Sequence, residues 1–255
     1  MSKRRRAINA ALLIGGLVVV WQVVSWLVPW LAGANALASP AETLRFTYGL
    51  LASPSFYPHV GETAGAFGIA LIFAVSLGVS IGTALGASRF AGEVGEPILV
   101  GVYSIPKITL YPIVLLAFGI GMPAKVAFGA MHGIVPIAIF TMGALRNLNP
   151  VFLKTARVQR MSRWQIASRV LFPASVPEVF TGFRIGFSLT LIGTLLGEMF
   201  ASQRGLGYLL MQAIGLHNIR MITAVTFILV CVAVTASAAL WAVDRRLHRR
   251  IPAER

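Results

Sequence analysis

Stretches without a single Asp, Glu, Lys or Arg divide the chain. Ala7 to Val28, Ala64 to Ser88, Val126 to Leu145 and Met221 to Val243 are free of formal charge and dense in aliphatic residues. A helix needs about 20 apolar residues to cross the hydrocarbon core of a bilayer, so each run is long enough to span one. Two further runs are interrupted. Pro97 to Gly119 carries Lys107 between Pro106 and Pro112, and Pro177 to Ala201 carries Glu178, Arg184 and Glu198. A charge at the middle of a spanning helix costs about 3 kcal/mol, so Lys107 must meet protein or water where Pro106 breaks the helix. The pattern predicts an all-α membrane protein with about six transmembrane helices, near residues 7–28, 64–88, 97–119, 124–145, 177–201 and 221–243. These form a single domain over 1–255, with a long polar loop, 146–176, between the fourth and fifth.

The connections have their own grammar. Residues 29–63 hold Pro40, Pro54 and Pro58, which predicts a short interfacial helix broken by turns. Arg89 to Glu96 reads as a short charged link, and Ile120-Gly121-Met122-Pro123 as a tight turn. The last external loop opens Ser202-Gln203-Arg204-Gly205-Leu206-Gly207. Within 146–176, Leu153, Ala156, Trp164, Ala167, Val170 and Leu171 recur at helical spacing, and Lys154, Arg157, Arg160 and Arg163 recur every third residue. Asn149-Pro150 opens the segment as a cap followed by proline, and Pro173 and Pro177 are expected to close it. One or two short amphipathic helices at the membrane face are predicted. On residues alone, these serve either as a basic loop against anionic lipid or as a docking element for a partner.

Composition agrees with the pattern. Apolar residues are 57% of the chain and charged ones 12%, about half the share of a soluble domain. Mean hydropathy is +0.80. The net charge of +14 does not call for nucleic acid, because the basic residues fall on one side. Lys3, Arg4, Arg5 and Arg6, then Arg89, then Arg146, Lys154, Arg157, Arg160, Arg163 and Arg169, and finally Arg245, Arg246, Arg249, Arg250 and Arg255 alternate with the spans. Only Arg45, Arg204 and Arg220 lie in the opposite loops. This bias predicts that both termini are cytoplasmic. A basic start, an apolar run and Ala34-Asn35-Ala36-Leu37-Ala38 also fit a cleaved leader, but the run is longer than a leader's core, and we read it as the first span. The single cysteine, Cys231, permits no internal disulfide and reads as a small residue in a span.

The string KTARVQRMSRWQIASRVLFPASVPEVFTGFRIG, starting at Lys154, resembles the cytoplasmic "EAA" signature of binding-protein-dependent ABC transport permeases. IPKITLYPIVLLAFGIGMPAKV before it and GEMFASQRGLGYLL after it resemble the nitrate, sulfonate and taurine branch of that family. The likeness runs from about Pro54 to Arg246. It implies a coupling helix between the fourth and fifth spans that docks into an ATPase subunit, at Lys154, Thr155, Ala156, Arg157, Arg160, Ser162, Arg163 and Trp164. Lys154 stands where the family has glutamate and Arg160 where it has glycine; Thr155 for alanine and Phe172 for leucine are milder departures. An arginine at the glycine position must adopt helical angles or strain the turn. The chain has no G-x-x-x-x-G-K-[ST] string, so it carries no ATP site and no cofactor of its own, and ATP and Mg would sit on the partner ATPase. The partners implied are that ATP-binding subunit, a periplasmic solute-binding protein, a second permease copy, expected as a homodimer, and membrane lipid. No nucleic acid is expected.

Candidate pathway residues are Ser188, Thr190, Thr194 and Glu198, all in the fifth span. The hydroxyls can equally bond their own helix carbonyls, and Glu198 can form a local ion pair with Arg204. Arg184 is expected to snorkel to the cytoplasmic interface. Gly182 with Gly186, and Gly193 with Gly197, form G-x-x-x-G pairs. They are expected to pack against a second subunit, with packing inside one subunit as the alternative. His59, His132, His217 and His248 have no metal-ligand spacing, and no H-E-x-x-H or Ser/His motif points to catalysis, so no enzyme activity is expected. The sequence therefore reads as the permease subunit of an ABC importer in a bacterial inner membrane. An ATP-independent carrier or channel is the runner-up, and the charge-free second, fourth and sixth spans weigh against it.

Overall fold

The computed structural model describes residues 3–32 and 37–249, and their regular elements are all helical. Ala34 to Ala36 of the leader-like string and Arg250 and Arg255 of the tail lie outside the described residues, as do the side chains of Lys3, Arg4, Arg6, Arg163, His248 and Arg249. Five helices are long and apolar enough to cross a membrane, or six when one bent pair is taken as a single span.

The centre of the fold is made of three of them: α3 (Tyr57–Gly86), α6 (Met122–Arg146) and α9 (Phe172–Ala201). α6 is the middle member, with 61% of its apolar window buried. Small residues make this sandwich possible. α3 buries Ala66, Ala70, Ala74, Gly78 and Gly82, one every fourth residue and so on one face. A helix that carries only hydrogens or methyls along a face lets its neighbour's backbone approach, and dispersion contacts replace the hydrophobic drive that lipid does not supply.

On its other side α6 meets the glycines of α9. A β-carbon on Gly193 would stand 2.6 Å from the His132 ring, and one on Gly197 would stand 2.9 Å from the α-carbon of Lys125. Gly182 lies against Phe140 and Gly186 against Ile137. All four glycines therefore pack inside the chain, on α6, and not on a second subunit as the sequence suggested. Their order also fixes direction: α9 ascends as α6 descends. The start of α6 and the end of α9 share one end of the bundle, and the end of α6 and the start of α9 share the other.

The third span departs from a rod. α4 (Arg89–Ser104) begins in the segment read as a charged link, so Arg89 to Glu96 is helix. Ser88 caps it, accepting from the Ala91 amide at 3.3 Å. The chain then turns by 82° into a short 3-10 stretch, Lys107–Leu110, and α5 (Tyr111–Phe118). Proline at 106 cannot donate a helical hydrogen bond, which ends α4 there. Lys107 sits at the break, as expected. Its Nζ donates to the Tyr103 carbonyl at 3.2 Å and lies 4.9 Å from that tyrosine's ring centre, so the charge is answered by a freed helix-end carbonyl and a π-face.

The remaining elements frame this core. α1 (Lys3–Ala32) is one 30-residue helix with 6% of its window buried, tied on by Trp21, whose Nε1 donates to Ala38 O at 3.1 Å. α2 (Pro40–Leu51) is the expected short helix in the long external segment, opened by a capping box between Ser39 and Glu42. The basic loop folds as α7 (Pro150–Val158) and α8 (Arg163–Ile166), followed by a π-helical stretch, Ala167–Leu171, that runs into α9. α10 (Leu206–Gly215), which the sequence left as loop, packs against α3, α9 and α11 (Ile219–Arg249).

Candidate functional site

The basic segment builds a compact hairpin at the end of the bundle where α6 stops and α9 begins. Asn149 opens α7, its side chain accepting from the Val151 amide at 2.9 Å, with Pro150 in the first turn. α7 closes on a turn in which the Met161 amide donates to Ala156 O at 3.1 Å and the Arg160 amide donates to Arg157 O at 3.0 Å. That pair of bonds is a Schellman motif, and it places Arg160 at the left-handed position, with φ of +52°. The arginine therefore takes the strained option of the two open to it.

Two residues later the chain is helical again. The Ser162 amide donates to Gln165 Oε1 at 2.8 Å and the Gln165 amide donates to Ser162 Oγ at 3.3 Å, a reciprocal capping box that starts α8. Ser162 thus has a definite job in shaping the hairpin. Ala156 is buried beneath it, while Lys154, Thr155, Arg157, Arg160 and Ser162 are exposed. Trp164, grouped by periodicity with the buried face, is 79% exposed, and Val158 is 83% exposed. Exposed apolar groups ringed by arginine are the usual make-up of a partner surface.

Pro173 and Pro177 do not close the segment. Helix continues through both, from Trp164 to Phe200 as one apolar stretch. Proline removes an amide and crowds the carbonyl four residues earlier, and widening the preceding turn relieves that crowding. The π-helical turn at Ala167–Leu171, just before Pro173, is where this happens.

The opposite end holds a second polar site that the sequence did not foresee. Lys125, 1% exposed, sits at the start of α6. Its Nζ donates to Glu62 Oε1 at 2.8 Å, Ser202 Oγ at 3.0 Å and the Arg204 carbonyl at 3.3 Å, and lies 3.8 Å from Glu198 Oε1. Glu198, fully buried, accepts from the Thr63 hydroxyl at 2.8 Å and from the Gly207 amide at 3.0 Å. Thr63 in turn accepts from the Leu206 amide at 2.8 Å, and His59 Nδ1 accepts from the Gly205 amide at 3.1 Å. Three successive amides at the start of α10 are thus bonded to side chains of α3 and α9. They are donors that a helix start otherwise leaves open. Gly205 has φ of +122° and its α-carbon faces the Glu198 carboxylate, so only glycine fits there.

This network corrects the expected ion pair: Glu198 lies beside Lys125, and Arg204 contributes its carbonyl. Lys125 and Glu62 were passed over because each stands within a residue or two of a span boundary, where interfacial charges are ordinary.

The candidate pathway hydroxyls separate. Thr190 and Thr194 are fully buried between α6 and α9, and Thr194 donates to Thr190 O at 2.9 Å. Ser188 alone of the four faces an open cleft, of about 580 Å³, with Tyr103, Arg184, Ser237 and Trp241. The Arg184 guanidinium lies 3.4 Å from Asp244 of α11, at the end of that helix which carries Arg245 and Arg246.

A family described as binding-protein-dependent transport system inner membrane component matches residues 74–252. A nitrate import permease protein of Synechocystis is 28% identical over 241 residues, 90% of this chain and 84% of that protein. A probable ABC transporter permease protein of Haemophilus influenzae is 28% identical over 247 residues, 96% and 98% of the two chains. Permeases named for aliphatic sulfonates and for taurine are relatives at 25% identity. In the inward-facing MetNI methionine ABC transporter, one chain superposes with a TM-score of 0.65 at 20% identity, over 74% of this chain and 94% of that one, which shows the same fold. The chain therefore belongs to the binding-protein-dependent transport system inner membrane components, in the branch of the nitrate, sulfonate and taurine permeases, and is a membrane-embedded permease subunit of an ABC importer.

Proposed function

We propose that this permease carries a small solute with an oxyanion group, of the sulfonate, taurine or nitrate kind, from periplasm to cytoplasm, driven by a separate ATPase subunit that binds ATP and Mg. The hairpin of α7 and α8 carries this reading. It offers a shaped, basic surface with exposed Val158 and Trp164, on the end of the bundle to which charge bias assigns the cytoplasm. Lys154, Thr155, Arg157, Arg160, Ser162 and Trp164 present that surface to the ATPase, with Arg163 beside them in sequence and Ala156 supporting them from below. Two copies of the chain form the pathway, a solute-binding protein delivers solute at the α2 and α10 end, and both termini are cytoplasmic. The relatives named for nitrate, sulfonates and taurine support the anion class.

Affinity capture of the intact chain from membranes in mild detergent tests the docking. A P-loop ATPase is expected to co-purify with the wild type, and to be lost with Val158→Asp or Trp164→Ala, since both side chains are exposed and their replacement leaves the fold intact. Recovery of no ATPase with the intact chain overturns the reading in favour of an ATP-independent carrier.

A further inference from the structure

We propose that the cleft between α4, α9 and α11 is an oxyanion site, with the Arg184 guanidinium as its charged ligand and Ser188 and Ser237 as flanking donors. It rests on the reading of the cargo as an anion and gives that cargo a place in the membrane.

The backbone of Arg184 lies inside its span, and its guanidinium reaches Asp244, which adjoins the basic end of α11. Gly186, two residues on, packs against Ile137, nine residues before the end of α6 at Arg146. At 1.5 Å per residue this puts Arg184 about 10 Å inside the level of Arg146. A charge there is costly and calls for a partner. Its ion-pair partner among the described residues, Asp244, stands at 3.4 Å from a single nitrogen, and no hydrogen bond to the guanidinium is found among those residues. Asp244 also accepts from the Thr181 hydroxyl at 3.3 Å, which holds it to one side.

A guanidinium has five N–H donors in a rigid fork suited to a planar or tripodal oxyanion. Here 30% of the side chain is exposed, and it faces the cleft. Ser188 is one turn further along α9, its hydroxyl making only a 3.4 Å bond to Arg184 O, and Ser237 makes none among the described residues. Tyr103 and Trp241 give apolar walls for a short organic body. Arg245, stacked 4.5 Å over the Trp241 ring, adds a second positive charge nearby. The cleft thus holds unused donors, net positive potential and an apolar wall, which suits a sulfonate, nitrate or carboxylate on a small body, or the phosphate of a lipid headgroup.

Trp241 makes the site readable. The full chain is reconstituted in phosphatidylcholine nanodiscs and titrated with ethanesulfonate and with nitrate, using tetramethylammonium as the control cation. The difference in tryptophan fluorescence between wild type and Trp241→Phe is followed. A saturable response to the anions and none to the cation is expected, weakened at least tenfold in Arg184→Gln. Because that variant removes the ion pair between Arg184 and Asp244, Arg184→Gln/Asp244→Asn serves as the neutral pair and is expected to show the same loss. In phosphatidylglycerol nanodiscs, a response weakened tenfold or more assigns the site to the lipid headgroup, and an unchanged one assigns it to the free anion. No saturable response in phosphatidylcholine, or a response in the Arg184 variants as strong as in the wild type, overturns the site. If an ATPase co-purifies while the anions do nothing, the site falls and the importer reading stands. If the anions bind and no ATPase is recovered, the reverse holds.

Discussion

The two ends of the bundle solve the problem of polar groups at a membrane in opposite ways. At the α10 end, charges are buried and fully engaged: Lys125 and Glu198 have essentially no exposed surface, and each is held by several partners. In the α7 hairpin, Lys154, Arg157 and Arg160 are exposed, and an arginine occupies a left-handed backbone position. A buried ion pair is rarely worth more than an apolar replacement, but breaking one is expensive, so such a network fixes geometry more than it adds stability. An exposed basic hairpin has little internal energy at stake and much surface free. The contrast teaches that the α10 end is built to stay assembled, and the α7 end to meet something else.

The sharpest way to break this comparison is Lys125→Met. It leaves Glu62 and Glu198 facing each other without their cation and is expected to cost about 3–5 kcal/mol, seen as a large fall in the thermal unfolding midpoint in detergent. Lys125→Met/Glu198→Gln is expected to recover part of that loss, since it removes one of the stranded charges. An unchanged midpoint in the single variant would show that the network does not hold this end together.

Thr63→Val comes next. One hydroxyl both donates to Glu198 and accepts from the Leu206 amide, so its loss at the same volume takes one bond from Glu198 and orphans the Leu206 amide, at about 2–3 kcal/mol. Hydrogen exchange should accelerate at the start of α10 and leave α7 untouched. Equal acceleration at both ends would mean that they are not independent.

At the other end the effects are smaller and local. Ser162→Ala removes one side of the capping box and is expected to cost about 1 kcal/mol, read as faster exchange in α8 with no shift in the global midpoint. A global shift would place the hairpin in the core of the fold and remove the contrast.

What the sequence disclosed follows the same division. Spans were legible because crossing lipid demands long charge-free runs, and Lys107 could be placed at the Pro106 break because a bare charge there is intolerable. Ser162 and Arg160 were singled out by the resemblance of their segment to the family's signature, and local hydrogen bonds explain both. The Lys125 network was not legible. Its members come from residues 59–63, 125 and 198–207, and only the antiparallel packing of α6 on α9, set by glycines against His132 and Lys125, brings them together. The angle of the break in the third span and the run of helix through Pro173 were not legible for a related reason. Proline announces a disturbance, but whether it ends a helix, turns it by 82° or widens a turn depends on what packs beside it.

The smallest effect is also the most diagnostic. Arg160 sits at φ of +52°, where a side chain costs about 1 kcal/mol that glycine does not incur. Arg160→Gly is therefore expected to stabilise the hairpin, slowing exchange of the Met161 amide about fivefold, the factor that corresponds to 1 kcal/mol. His217 ends α10 on the same motif, with φ of +52° and bonds from Asn218 to Ala213 and from His217 to Ile214. His217→Gly is its counterpart at the tightly held end. If only backbone strain matters, the two substitutions slow exchange alike, and ATPase capture by Arg160→Gly is undiminished. If ATPase capture falls while the hairpin becomes more stable, the guanidinium itself contacts the partner, and the strain at this position is retained for binding. Slower exchange at His217 but not at Arg160 would mean that the α7 turn is frayed in the membrane, and the shape ascribed to this end would have to be given up.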